Sequence, residues 1–242
     1  MANGFSSIWF DTFLSPTSAA PVHRELDFIR KHLSVAEFPK LLDVPCGIGR
    51  HAGPLSSLGY DVVGVDRSAD ALDVARRTHP GADYRLLDMN DLDKIESDFD
   101  GVLCLWQSFG FGSAEQNLDT LRSMAGRLRE GGRLLLDVYN AEALTRLPAE
   151  STEHRSGRTV TTRRTLDGGR FRVRIRYSGS SEVDVHDWMV YTPSALKQAA
   201  GLAGLTPLLV CAWFDEAVPA SAEHQRLQLL CVRHGAFQGN RQ

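Results

Sequence analysis

No stretch of the 242-residue sequence is apolar for long enough to span a bilayer, and no repeat or low-complexity linker interrupts it. The amino-terminal MANGFSSIWFDTF has neither a basic leader nor a long apolar segment, so a cytoplasmic protein without a membrane partner is expected. Cysteine is scarce and solitary. Cys46, Cys104, Cys211 and Cys231 stand apart, mostly in apolar runs, and no C-x-x-C pair suggests zinc or redox work. Reduced, buried thiols and no metal are the expectation. A dominant charge is also missing. Lys+Arg 27 against Asp+Glu 30 gives a formal charge of -3 and a pI near 6.2, which argues against a broad nucleic-acid or membrane-surface footprint.

What is present is an alternation of strand and helix signals. Val22, Leu26, Ile29 and Leu33 share one face of a helix over 22–33. Short apolar runs at 40–44, 60–66, 82–88, 100–106 and 133–139 read as buried strands. Between them come helices over 50–58 and 69–77, the latter capped by Ser68. Another opens on the capping-box pair Ser113 and Gln116 and is stopped by Gly131-Gly132. Such an order predicts a doubly wound α/β fold, a seven-stranded and mostly parallel sheet with both faces covered. After Asn140 the texture changes. Residues 159–192 alternate with period two around turns at 167–169 and 178–180, predicting a small antiparallel β-meander inserted after the fifth strand. Thr192-Pro193 reopens a helix, and 205–214 and 224–233 supply the last two strands, while 235–242 is expected to fray. The chain divides accordingly into an N-terminal lid or helix segment (1–36), an α/β core (37–140), the insert (141–191) and the completion of the core (192–235).

The chemistry sits at LLDVPCGIGRHA, residues 41–52. Its glycines fit the G-x-G-x-x-G/A pattern of dinucleotide-binding turns. An acid, Asp43, lies in the strand before the turn, where a pyrophosphate would be repelled. Asp66 closes the second strand and suits two ribose hydroxyls, since a carboxylate accepts both hydrogen bonds. Asp88 closes the third and can accept from an adenine amino group while Met89 packs the ring. A ligand with an ammonium, a ribose and an adenine, and no phosphates, is S-adenosylmethionine.

The run 41–76 resembles the class I, Rossmann-like S-adenosylmethionine-dependent methyltransferases of the small-molecule type. LLDMND (86–91), FDGVLCLWQSFG (99–110) and LREGGRLLLDVYN (128–140) resemble their later motifs in the same order. The resemblance implies a methyltransferase that releases S-adenosylhomocysteine. It places Asp43, Cys46, Gly47 and Gly49 at the amino-acid end of the cofactor, with Asp66 on the ribose and Arg67 packed on adenine. Asp88 and Met89 fall on its adenine pair, and Leu105 and Trp106 beside the sulfonium. Pro45 departs from the usual small residue, which its fixed φ makes tolerable in a turn. WQSF at 106–109 is not the Asn-Pro-Pro-aromatic signature of enzymes that methylate DNA amino groups, and no acid cluster suggests a metal-dependent catechol-type enzyme. Two rivals stand beside this reading: an NAD(P)-dependent oxidoreductase, against which Asp43 and Asp88 argue, and a non-catalytic protein of the same fold.

Other residues admit two roles each. Arg50 and His51 open a helix, or face the cofactor carboxylate or the substrate. Ile8, Trp9, Phe10 and Phe13 form an aromatic lid, or pack on the first helix. Tyr139 and His186 are the candidate catalytic bases for a hydroxyl acceptor. Arg170, Arg172, Arg174 and Arg176 share one strand face opposite Phe171, Val173, Ile175 and Tyr177. Keeping Val183 and Val185 with the apolar set would place Glu182 and Asp184 across from the arginines, as pairing partners. The apolar face needs a cover, either a small-molecule substrate, the sheet edge or a second subunit in a homodimer.

Overall fold

The structure, a computed structural model, describes residues 6–13 and 20–234. The segment 235–242 and the side chain of Phe10 lie outside the described residues. The sheet runs β10-β11-β5-β4-β1-β2-β3, built from β1 (Lys40–Asp43), β2 (Asp61–Asp66), β3 (Asp83–Leu86), β4 (Phe99–Cys104), β5 (Leu128–Tyr139), β10 (Leu205–Cys211) and β11 (Arg226–Arg233). Only β11 runs against its neighbours, pairing antiparallel with β5 and β10. Neighbouring residues of each strand serve opposite faces. Leu42, Val63, Val102 and Leu134 pack with Leu121 and Met124 of α5 (Ala114–Arg127) and Leu196 of α7 (Pro193–Leu202). Leu41, Val62, Leu103 and Leu135 pack on the other side with Leu26, Ile29 and Leu33 of α2 (Ala20–His32), Leu55 of α3 (Ala52–Ser57) and Leu72 of α4 (Ala69–Thr78). Burial on both faces is why these strands read as continuous apolar runs.

The expected caps form. Ser68 Oγ accepts from Ala71 N, Thr192 Oγ1 from Ala195 N, and Ser113 and Gln116 close a reciprocal capping box. Two boundaries differ. Gly131 and Gly132 lie inside β5, whose pairing with β4 shifts register there, because Gly131 at φ +74 allows a bulge. β3 ends at Leu86, so Asp88 lies beyond the strand, where it caps a 3-10 turn over Met89–Lys94.

The insert has four strands: β6 (Glu150–Arg155), β7 (Arg158–Asp167), β8 (Arg170–Tyr177) and β9 (Val183–Met189), in the order β6-β7-β8-β9. β6, ESTEHR, carries no apolar alternation and was not expected. The register of β8 with β9 is the reverse of the expected one. Ile175 faces Asp184, Val173 faces His186 and Phe171 faces Trp188, so Val183 and Val185 fall on the arginine side. The sheet thereby buries the larger Trp188, and one-residue register changes move every side chain to the other face. Burying Asp184 is tolerable because it accepts from Tyr177 Oη (2.6 Å), Ser6 Oγ (2.7 Å) and Ser6 N (2.9 Å). Arg170 and Arg172 pair with Asp187, and Arg163 with Glu150. The cover over the apolar face is α1 (Ser7–Phe13), whose Ile8, Trp9 and Phe13 join Phe171, Ile175, Trp188 and Leu144 in one cluster.

Candidate functional site

Strand order reverses between β1 and β4, and the crevice beyond the carboxyl ends of such strands is where open α/β sheets bind ligands. The glycine turn lies there, tied down by Val44 N to Leu103 O and Cys46 N to Val65 O. Gly47 (φ +53) and Gly49 (φ +78) take the left-handed backbone that glycine adopts without steric cost. A side chain at Gly49 would come 2.5 Å from Tyr84 Oη, whereas one at Gly47 would meet nothing within 4 Å, so Gly47 borders open space. Asp66 braces the turn: its Oδ2 accepts from Gly47 N and its Oδ1 from Ser68 N, both at 2.9 Å. Each oxygen keeps a lone pair for a further donor. The Cys46 thiol packs in the core beside Gly64, and burial pushes it up, so what Cys46 presents to the turn is backbone.

Asp43 is fully enclosed at the end of β1, and burial pushes its carboxyl up to about 6, against the pull of His51. One oxygen accepts from Ala52 N–H, while Oδ2 has no partner among the described residues. Arg50 and His51 both turn to Glu25 of α2: Arg50 Nη2 lies 2.6 Å and His51 Nε2 2.5 Å from its Oε2. Arg50 Nη1 is buried without a hydrogen bond among the described residues, and the guanidinium lies 4.1 Å from the centre of the Trp106 ring. Trp106 Nε1 is also buried without a partner among the described residues. Leu105 packs inward into the core, while the Trp106 ring lies against the Arg50 and Arg226 guanidiniums.

Beside β2 and β3, Arg67, Met89, Asn90, Phe109 and Phe111 line a cleft of about 520 Å³ that continues along α5 past Gln116 and Asn117. Asp88 Oδ1 accepts from both Asn90 N and Asn90 Nδ2, which leaves Oδ2 for another donor. Tyr139 and His186 sit farther across, under the meander. The Tyr139 ring meets Phe171 at 5.5 Å and Trp188 at 5.1 Å, and burial pushes its phenol up. His186 is enclosed between Trp188 and Trp9, and burial holds its imidazole below the ordinary range against the opposing effect of Asp184.

Sequence reading missed Glu25, Asp137, Arg226 and Gln228, which wire α2, β5 and β11 into the crevice. Asp137 is fully buried and accepts from Gln228 Nε2, Arg226 and Trp106 N. Its one visible signal was an acid inside the apolar run LLLDVY. The partners lie 31 to 91 residues away, beyond any local pattern.

Residues 41–132 match the family model described as a methyltransferase domain. A Streptomyces fradiae dTDP-3-amino-3,6-dideoxy-alpha-D-glucopyranose N,N-dimethyltransferase is 32% identical over 112 residues, 46% of this chain and 43% of that protein. A ubiquinone biosynthesis O-methyltransferase of Rhodopseudomonas palustris (strain TIE-1) is 33% identical over 41% of this chain and 46% of that one. The chain thus spans less than half the length of these two curated relatives. In fold it is similar to an S-adenosylmethionine-dependent methyltransferase from Clostridium acetobutylicum ATCC 824, with TM-score 0.79 at 14% identity over 94% of this chain and 97% of that one. Residues 41–132 thus carry a methyltransferase domain, and the reversed strand order places its glycine turn at the crevice where open α/β sheets bind ligands.

Proposed function

We propose that this protein methylates an O, N or C nucleophile of a small molecule with S-adenosylmethionine. The observation that carries the reading is the set of buried groups left without partners around the glycine turn. Asp43 Oδ2 is an acceptor suited to an ammonium, and Arg50 Nη1 a donor suited to a carboxylate, as the amino-acid end of this cofactor requires. Asp66 would take the ribose hydroxyls with its remaining lone pairs, Arg67 and Met89 would flank adenine, and Asp88 Oδ2 would accept its amino group. Gly47 leaves the space, Gly49 closes the turn on Tyr84, and Trp106 with Leu105 behind it forms the wall toward the methyl. When bound, S-adenosylmethionine supplies an electrophilic methyl on a sulfonium. The protein's own contribution is alignment and exclusion of water, which supply much of such a rate without a dedicated side chain. For a hydroxyl acceptor, Tyr139 and His186 are the candidate bases, and burial disfavours the charged form of each. The relatives named for an amino sugar and for ubiquinone biosynthesis differ in the atom methylated, and both support a small-molecule acceptor.

The meander is the acceptor's roof in this reading. It is stitched to the segment after β4 by Trp188 Nε1 to Gln107 O (2.9 Å), Met189 N to Gly110 O (2.7 Å) and Arg170 Nη1 to Gly112 O (2.7 Å). If it serves instead as a dimer element, sizing chromatography will show a dimer that a meander-edge variant dissociates without loss of turnover.

A thermal-shift panel tests the cofactor, because a ligand that binds only the folded state raises its apparent stability. S-adenosylhomocysteine is expected to stabilise the protein and NADH and NADPH are not; the opposite pattern rejects the reading. In calorimetry, Asp66→Ala should weaken S-adenosylhomocysteine binding by about 1.5–3 kcal/mol, roughly 10–150-fold. A folded variant with parental affinity removes Asp66 from the site.

A further inference from the structure

Immediately after β4 the chain places two consecutive non-glycine residues in the left-handed region, Trp106 at φ +59 and Gln107 at φ +55. Such backbone persists only where its surroundings over-determine it. Here Asp137 holds the turn, through its carboxylate and its backbone carbonyl. Asp137 Oδ2 accepts from Trp106 N (3.0 Å), Gln107 Nε2 (3.3 Å) and Arg226 Nη2, and its Oδ1 from Gln228 Nε2 (2.7 Å) and Arg226 Nε (3.1 Å). The Asp137 backbone carbonyl takes Gln107 N at 2.9 Å as well. The turn so held has two outputs. Toward the glycine loop it wedges the Trp106 indole against Arg50 at 4.1 Å, with Arg226 at 5.9 Å. Toward the meander it offers the Gln107 carbonyl to Trp188 Nε1.

A buried ion pair kept only for stability is often replaceable by well-packed apolar residues. The Asp137 carboxylate does something that an apolar residue could not, because it holds backbone and side-chain donors of the turn as well as Arg226. We propose that Asp137 is a positioning residue: it fixes the Trp106–Gln107 turn and so sets the cofactor-facing indole and the meander-facing carbonyl in one geometry. The role rests on the methyltransferase reading above.

The test is calorimetry with S-adenosylhomocysteine, each variant's folding checked by circular dichroism and thermal melting. Asp137→Asn aims an amide –NH2 at N–H donors in either orientation, so part of the network must open. It should bind the probe at least tenfold more weakly than the parent, about 1.4 kcal/mol. Gln107→Val leaves the Asp137–Arg226 pair in place but puts a β-branched residue at a positive φ, and should lose a similar amount. Adding Gln107→Gly to Asp137→Asn removes the backbone cost at 107 and should recover most of the loss, which a carboxylate serving Arg226 alone does not predict. Folded Asp137→Asn with parental affinity, or no recovery by glycine, overturns the proposal. If Asp137→Asn does not fold, Gln107→Val decides, and parental affinity in that folded variant overturns it equally. A parent that binds no S-adenosylhomocysteine fails one step earlier and rejects the cofactor reading itself.

Discussion

Asp43→Asn is expected to stabilise the ligand-free protein by about 2 kcal/mol at pH 8 while weakening its hold on S-adenosylhomocysteine about tenfold or more. Burial raises the Asp43 carboxyl from its ordinary 3.8 to about 6 in the folded chain. A carboxyl raised on folding favours the native state at low pH and costs it stability as pH climbs between those two values. That cost is complete above pH 6 and amounts to about 3 kcal/mol, of which the buried amide N–H of asparagine gives back about 1. Near pH 4 the carboxyl is largely neutral in the folded state, and the two proteins should differ little. Affinity moves the other way. The parent's binding should fall as pH drops through about 6, because protonation removes the charge that would face the ligand's ammonium, whereas the variant's binding should stay level across that window. Denaturant melts at pH 4 and 8 and calorimetry between pH 5 and 8 measure both. If the variant is no more stable at pH 8 and binds as the parent does, Asp43 carries neither the cost nor the role. A site that spends stability on an enclosed carboxylate is the expected signature of a residue kept for binding.

Gly110→Ala should have the largest effect on the seam between the cofactor half and the meander. Gly110 sits at φ +109, and an added Cβ would come 2.5 Å from the backbone oxygen of Met189. Backbone cannot swing aside as a flexible side chain can, so the segment after β4 must part from β9. Strain of about 1–3 kcal/mol and loss of the Met189 N to Gly110 O bond, about 1 kcal/mol, sum to about 2–4 kcal/mol. That corresponds to a fall in melting temperature of roughly 4–16 °C for a chain of this size. Methyl transfer to the native acceptor should drop more than S-adenosylhomocysteine affinity, because the glycine turn is held from Leu103 and Val65, while the seam reaches the cofactor side through the cleft that Gly110 lines with Arg67 and Met89. Gly168→Ala is the control. Gly168 also has positive φ (+53) but borders open space at a hairpin tip, so it should cost about 1 kcal/mol and leave turnover alone. Equal behaviour of the two variants would mean that the seam has no part in acceptor methylation.

The order of strands and helices, the helix caps and the glycine turn were legible because each is a local pattern. Burial on both faces makes a parallel strand continuously apolar, a cap needs only a hydroxyl three residues from an amide, and a left-handed turn needs glycine. The acids Asp43, Asp66 and Asp88 could be placed by their distance from those strands, although Asp88 proved to lie past β3 as a cap. The register of β8 on β9 was not legible. Alternation allows two faces, and the choice was made by Trp188 and by Ser6, 178 residues from Asp184, which comes in to satisfy the buried carboxylate. The same holds for α1 over the meander and for Glu25, Asp137 and Arg226 around Trp106. These contacts join residues with no sequence relation, and their strength comes from the low-dielectric surroundings that burial in the fold creates. The sequence by itself determined which cofactor chemistry the β1 to β4 edge can offer; only the tertiary structure decided what holds that edge to the meander.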